Sequence, residues 1–220
     1  MAQSGEVDFR DRGLAGRPKV KPGSIAGIIL AGGASRRMGT PKALLRFQGE
    51  TFLDRLIRLF SAVANPVIVV VGHHAEAIRS GIERSPEAVF VVNPAPERGM
   101  LSSLQCGLEA VPTQAEAVLF TPVDHPHLAA STLEQLTADF LAKHAPVTVP
   151  THDGKHGHPV CIARAVMLEL LALPPEAQAS DVIHRHVSQT SYIQVPDSAV
   201  LTDVDDQAAY AELISREVPR

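Results

Sequence analysis

A rhythm of short, wholly apolar runs separated by longer amphipathic stretches constrains this chain more than any other feature. Ile25 to Leu30 is apolar throughout, rich in β-branched residues and followed by glycines, the pattern of a strand buried on both faces. Phe52 to Ala64 carries Leu53, Leu56, Ile57 and Phe60 at helical spacing, so a helix is expected to pack back on that strand. The same alternation predicts strands at Val67 to Val71, Val89 to Val92, Val118 to Thr121 and Val147 to Pro150. Helices are expected at His74 to Arg84 and Leu101 to Ala110, and another, capped by Ser131, carries Leu133, Leu136 and Phe140. Strands joined through single helices take right-handed crossovers, which places helices on both faces of a mostly parallel sheet. The expected fold class is α/β, a three-layer α/β/α Rossmann-like sandwich.

After Pro150 the rhythm loosens. A polar turn from Thr151 to His158 precedes a strand at Val160 to Ala163, helices near Arg164 to Leu173 and Asp181 to Val187, and a strand at Ser191 to Val195. The segment Leu201 to Asp205 then leads into a helix bearing Tyr210, Leu213 and Ile214. This part is expected to add a small antiparallel portion beside the main sheet. At 220 residues the chain suits one domain, read as 25–217, behind a loose extension over 1–24 in which charges mix with glycine and proline. That extension lacks the apolar centre of a secretory signal. No apolar run approaches the roughly 20 residues of a membrane helix, so no membrane partner is expected. A net charge of −4 and a pI near 6.2 supply no broad field for nucleic acid, so any phosphate site must be local. Cys106 and Cys161 lack metal-binding spacing and read as buried, reduced thiols of a cytoplasmic protein.

In open α/β sheets ligands sit beyond the carboxyl ends of strands, and the first strand empties into Leu30, Ala31, Gly32 and Gly33, followed by Arg37 and Lys42. Glycines allow close backbone approach to a phosphate or base, and the two cations supply bidentate and compact charge. The string is neither the G-x-x-x-x-G-K-[ST] loop of nucleotide hydrolases nor the G-x-G-x-x-G turn of dinucleotide binders. Taken alone, two glycines and some arginines also describe an ordinary connector.

The full string, Leu-Ala-Gly-Gly-x-Ser-x-Arg-Met-Gly-x-Pro-Lys from Leu30 to Lys42, resembles nearly residue for residue the signature loop of the molybdenum cofactor nucleotidyltransferases. That family is a branch of the nucleotide-sugar pyrophosphorylase superfamily, and further matches run from Ile25 to about Leu213. The resemblance implies a fold of the nucleotide-diphospho-sugar transferase type, with Leu30 to Gly33 touching base and ribose while Arg37 and Lys42 hold phosphates. Asp124, in Thr121-Pro122-Val123-Asp124-His125-Pro126, matches the family's strand-end aspartate, which binds a magnesium ion bridging the nucleotide phosphates. Its other role would be a helix-capping or turn aspartate. Asp205, in Leu201-Thr202-Asp203-Val204-Asp205-Asp206, stands where the family completes the metal site, with Asp206 capping the helix that follows; Asp206-Gln207 replaces the usual Thr-Pro. Asn93, Gly99, Ser102 and Ser103 match a segment bordering the nucleotide, helix capping being the alternative role of the two serines. Gly157-His158-Pro159 resembles a turn of the cytidylyl-transferring relatives that borders the second substrate, which makes His158 and Pro159 the expected acceptor contacts. Ser180 to Arg185 lacks the glycines of the corresponding segment in those relatives.

The implied activity is magnesium-dependent transfer of a nucleoside monophosphate from a triphosphate to molybdopterin or another phosphate-bearing acceptor, Arg37, Lys42 and Asp124 carrying the catalysis. Leu-Ala-Gly-Gly is typical of guanylyl-transferring relatives and Gly-His-Pro of cytidylyl-transferring ones, so GTP and CTP both stand, with CTP favoured. A molybdoenzyme or its chaperone is the implied protein partner. Sugar or alcohol phosphates are alternative acceptors. A regulator that has lost turnover is opposed by the presence of both Asp124 and Asp205. A nucleotide-sugar glycosyltransferase is opposed by the position of Asp203-Val204-Asp205 near the chain's end.

Overall fold

The computed structural model describes residues 24–174 and 176–215. In chain order the strands are β1 (Ile25–Ala31), β2 (Arg46–Phe47), β3 (Glu50–Thr51), β4 (Val67–Val71), β5 (Val89–Val92), β6 (Ala117–Pro122), β7 (Val147–His152), β8 (Lys155–His156), β9 (Val160–Ala163) and β10 (Ser191–Gln194). The helices are α1 (Phe52–Ser61), α2 (Ala75–Gly81), α3 (Met100–Glu109), α4 (Ala130–Lys143), α5 (Arg164–Leu171), α6 (Ala179–Arg185) and α7 (Gln207–Ser215). Apart from Ser24, the expected extension over 1–24 lies outside the described residues, as does the end of the expected domain beyond Ser215.

The main sheet runs β5-β4-β1-β6-β9-β7-β10, with β8 paired to β7. Strands β5, β4, β1 and β6 are mutually parallel, and β10 is parallel to β7. All seven residues of β1 are buried, as a central strand covered on both faces requires. Alternate side chains feed separate cores. Ile25 and Ile29 meet Leu53, Ile57 and Phe60 of α1 and Leu136 of α4, whereas Ala26, Ile28 and Leu30 meet Leu104 of α3 and Val166 of α5. Three layers follow from that alternation. Gly27 lets α1 close on the sheet, since a Cβ there would stand 2.8 Å from Cδ1 of Phe60.

Several details differ from the sequence reading. The expected antiparallel portion is present, but only β8 stands beside the main path: β9 lies inside the sheet, antiparallel to both β6 and β7. The hairpin β2-β3, closed by Gln48 (φ 52°) and Gly49 (φ 82°), is additional. Ser131 does not cap α4, because the helix begins one residue earlier and its cap position is Ala129. Asp197 does that work from a distance, its Oδ2 accepting from the amide of Ala129 and the hydroxyl of Thr132, both at 2.8 Å. The helix expected at Asp181 to Val187 forms two residues earlier, and Val187–Gln189 is a separate 3-10 turn.

The chain steps from β1 outward to β4 and β5, then returns to lay β6 on the other side of β1. The carboxyl ends of β1 and β6 therefore part at a topological switch point, the ordinary place for a ligand crevice in such sheets.

Candidate functional site

Leu30, opposite Pro122 in the β1-β6 register, marks the start of the crevice. The carbonyl of Gly32 accepts from the amide of His73 at 3.3 Å, which ties the loop after β1 to the end of β4. Space is tight on both sides of that crossing, and glycine is required at Gly72. A Cβ on Gly72 would stand 2.8 Å from the Gly32 carbonyl oxygen, and one on Gly32 would stand 3.0 Å from Oγ of Ser103. Gly33 is different: no protein atom lies within 4 Å of where its Cβ would be. Beyond it Ser35 adopts a left-handed conformation (φ 48°), its carbonyl accepting from the amides of Met38 (3.0 Å) and Gly39 (3.1 Å). Its hydroxyl accepts from the amide of Lys42 at 3.1 Å, fixing where the lysine starts. Sequence reasoning assigned Ser35 no role, although a serine placed to satisfy amides of its own turn is a recognisable local signal. Buried Met38 pins the loop to the protein, and Gln207 at the start of α7 donates to its carbonyl at 3.5 Å.

Two carboxylates arrive from other elements. The amide of Val123 donates to the Leu30 carbonyl at 3.0 Å, so Asp124 is delivered by the end of β6 directly beside the loop. The segment before α7 then locks on: buried Val204 donates its amide to the Asp124 carbonyl at 2.9 Å, which brings Asp205 alongside. Asp206 caps α7 as expected, its Oδ1 accepting from the amide of Ala209 at 2.9 Å.

Lys42 Nζ lies 3.0 Å from Asp124 Oδ2 and 2.6 Å from Asp205 Oδ1, and Arg37 Nη2 lies 2.7 Å from Asp205 Oδ2. Burial pulls the Lys42 ammonium down, but the hydrogen bond to Asp205 and the charge of Asp124 outweigh it and leave the lysine above its ordinary value. Hydrogen bonds from Lys42 and then Arg37 hold the Asp205 carboxyl below the usual carboxylate range. Arg37, Lys42 and Asp205 are therefore charged at neutral pH.

A cavity of about 390 Å³ opens over this network, of a size that suits a small-molecule ligand. Of the residues expected at the nucleotide, Leu30, Ala31, Gly32, Gly33, Arg37, Lys42, Gly99 and Ser103 line it, together with Asp124 and Asp205. Ile78, Pro96 and Met100 form an apolar wall that sequence reasoning did not single out. Asn93 and Ser102 sit behind the wall. Asn93 is buried and donates to the hydroxyls of Ser102 (2.9 Å) and Ser103 (3.0 Å), and its Oδ1 accepts from the amide of Ala95 at 2.9 Å. Ser102 donates in turn to the Gly99 carbonyl at 2.9 Å, within the first turn of α3. These two residues orient Ser103 and the turn at Gly99.

His158 and Pro159 are also off the cavity wall. The His158 ring lies 5.2 Å from that of His125, centroid to centroid, and 6.0 Å from Phe120. Burial, and next the neighbouring His125, push its imidazole down to about 4. The glycine of this turn has a packing cause: a Cβ on Gly157 would run into the backbone of Val200, whose carbonyl accepts from the amide of His158 at 2.9 Å.

Two carboxylates whose oxygens converge on one ammonium suit a hard divalent cation such as magnesium, which takes one or two protein carboxylates and fills its shell with water and substrate oxygens. Among the described residues no group of three or more His, Cys, Asp or Glu side chains gathers to hold a metal, so Zn-type sites of protein ligands alone are not formed there. Among those residues, too, no helix is long and apolar enough to cross a membrane. Cys161 is buried; Cys106, expected to be buried as well, is half-exposed.

Residues 27–190 match the family model described as the MobA-like NTP transferase domain. Among curated relatives, a probable molybdenum cofactor guanylyltransferase of Bacillus cytotoxicus is 30% identical over 134 residues, 60% of this chain and 64% of that protein. The chain thus spans less than two thirds of that relative's length. The molybdenum cofactor cytidylyltransferase of Escherichia coli is 23% identical over 180 residues, 81% of this chain and 89% of that protein. Among solved structures, Rv0371c of Mycobacterium tuberculosis superposes with a TM-score of 0.77 at 28% identity, covering 89% of this chain and all of that one. A complex of Rv0371c with manganese matches at 0.73 and 26%, covering 87% of this chain and 98% of that one. Since that family model spans most of the chain, the chain belongs to the MobA-like NTP transferase family.

Proposed function

We propose that the protein transfers a nucleoside monophosphate from a nucleoside triphosphate to the phosphate of molybdopterin or its molybdenum form, with release of pyrophosphate. The observation that carries this reading is the meeting of Arg37, Lys42, Asp124 and Asp205 at the mouth of a cavity floored by Leu30 to Gly33. The acceptor phosphate, already ionised near neutral pH, attacks the α-phosphorus in line, so no general base is required. Lys42 and Arg37 bind the triphosphate oxygens and offset the charge that grows as pyrophosphate leaves. Asp124 and Asp205 would hold magnesium, which supplies charge neutralisation on the phosphates. Neither cysteine offers a nucleophile: burial pushes both thiols up, and neither lines the cavity.

CTP is the proposed donor, supported by the Gly157-His158-Pro159 turn and the cytidylyltransferase relative. GTP is the second reading, favoured by Leu30-Ala31-Gly32-Gly33 and the guanylyltransferase relative. A molybdoenzyme or its chaperone is the proposed recipient of the product. The test is pyrophosphate release with magnesium, molybdopterin and each of the four triphosphates, by the wild type and Asp124→Ala. Release with one triphosphate, dependent on molybdopterin and lost in Asp124→Ala, is expected. Release from no triphosphate would overturn molybdopterin as acceptor.

A further inference from the structure

The four charged groups at the cavity mouth cancel one another. Arg37 and Lys42 are the groups that would grip phosphates, yet each is spent on an aspartate. Lys42 takes one oxygen from Asp124, at the end of β6, and one from Asp205, before α7, which are the two carboxylates suited to a divalent cation. Its side chain is only 13% exposed. We propose that in the nucleotide-free protein Lys42 holds the place of the divalent cation, so that the metal enters only together with the triphosphate. The proposal rests on reading the cavity as a triphosphate site.

The reasoning is one of charge exchange. A bare divalent cation must displace an ammonium held between two carboxylates, leaving a positive charge without a partner beside the incoming one, an arrangement that like-charge repulsion opposes. A bare triphosphate meets cations already neutralised by Asp124 and Asp205. A triphosphate carrying its metal solves both problems at once: Lys42 and Arg37 turn to the phosphates as the carboxylates turn to the metal, and no charge is left without a partner. Lys42 is then a positioning residue for the empty state as well as a phosphate contact in the filled one. The rival is a static tie, in which Lys42 keeps both carboxylates while metal and triphosphate bind; loss of its charge would raise metal affinity under either reading, so the two differ in whether Nζ leaves the carboxylates when both ligands are present.

The test is titration of Mn²⁺ into the nucleotide-free, full-length protein, with free Mn²⁺ followed by its paramagnetic resonance signal. Lys42→Met is expected to bind Mn²⁺ tighter than wild type by about ten-fold or more, because the competing charge is gone while both carboxylates remain. Lys42→Arg, which keeps the charge, should stay near wild type, and Lys42→Met with Asp124→Asn should lose the gain. Equal or weaker binding by a folded Lys42→Met overturns the proposal. The ¹⁵Nζ resonance of Lys42 in the wild type separates the placeholder from the static tie, and decides alone if the variant does not fold. It should be unmoved by Mg²⁺ alone and shifted by Mg²⁺ with a non-hydrolysable triphosphate; a shift with Mg²⁺ alone overturns the idea. Failure of any triphosphate to bind would instead count against the transferase reading, while the metal titration would still decide on Lys42.

Discussion

Gly33 and Gly72 stand near each other at the crevice for opposite reasons. The space a Gly33 side chain would fill is empty of protein, so Gly33→Ala should leave thermal stability unchanged while weakening nucleotide binding about ten-fold, as read by triphosphate titration. Gly72→Ala should destabilise, because its Cβ would press on the backbone of Gly32. His158 gives a pH prediction. Its folded value of about 4 lies below the unfolded value near 6.5, so the unfolded chain takes up a proton that the native state refuses. Stability contributed by this residue is thus constant above pH 6.5, falls as pH drops toward 4 and levels off below. The full loss is about 3 kcal/mol, and urea unfolding of His158→Gln should show a flatter profile between pH 7 and 4 than wild type. At this scale the charged residues that meet at the cavity were reached through the resemblance of the loop and the two aspartate segments, since a lone aspartate after a strand reads equally well as a turn or capping residue. Sequence reasoning did not find that Asn93 and Ser102 face inward, since whether a polar side chain meets ligand or protein depends on how the end of β5 and the first turn of α3 pack together, which no local pattern states.

Among the elements, α1 and α4 begin on buried or part-buried carboxylates, but only one of these is near in sequence. Asp54 sits in the first turn of α1, bonded to the Thr51 hydroxyl at 2.7 Å and accepting from the amides of Glu83 (2.9 Å) and Arg84 (2.7 Å). Asp54→Ala removes three partners at a buried site and should cost about 3 kcal/mol in urea unfolding. For α4 the structure makes a sharper prediction: Asp197→Ala should cost about 1–2 kcal/mol and Ser131→Ala less than about 0.5 kcal/mol, the reverse of what a local capping rule implies. Helix positions were readable from periodicity, because burying one face leaves an imprint on the chain. The cap of α4 was not, because Asp197 reaches it across 68 residues.

On the scale of the whole molecule, the two cores separated by the sheet follow from alternation within strands such as β1, and so the layered class was readable. The place of β9 was not: a four-residue apolar run fits an edge or an interior equally well, and its partners are chosen by tertiary packing. Cys161 reports on that placement. It is fully buried between Leu119 of β6 and Thr148 of β7, so a thiol reagent should modify it only as fast as the molecule opens globally, well after Cys106. Equal rates would mean that β9 detaches locally. The interior position of β9 also matters while the chain is being made. Synthesis delivers β6 and β7 first, yet neither can join the other until the residues up to Ala163 have left the ribosome and slid between them. For that interval β6 offers a nascent, apolar, unpaired edge, the kind of surface that invites wrong pairing before the interior strand arrives.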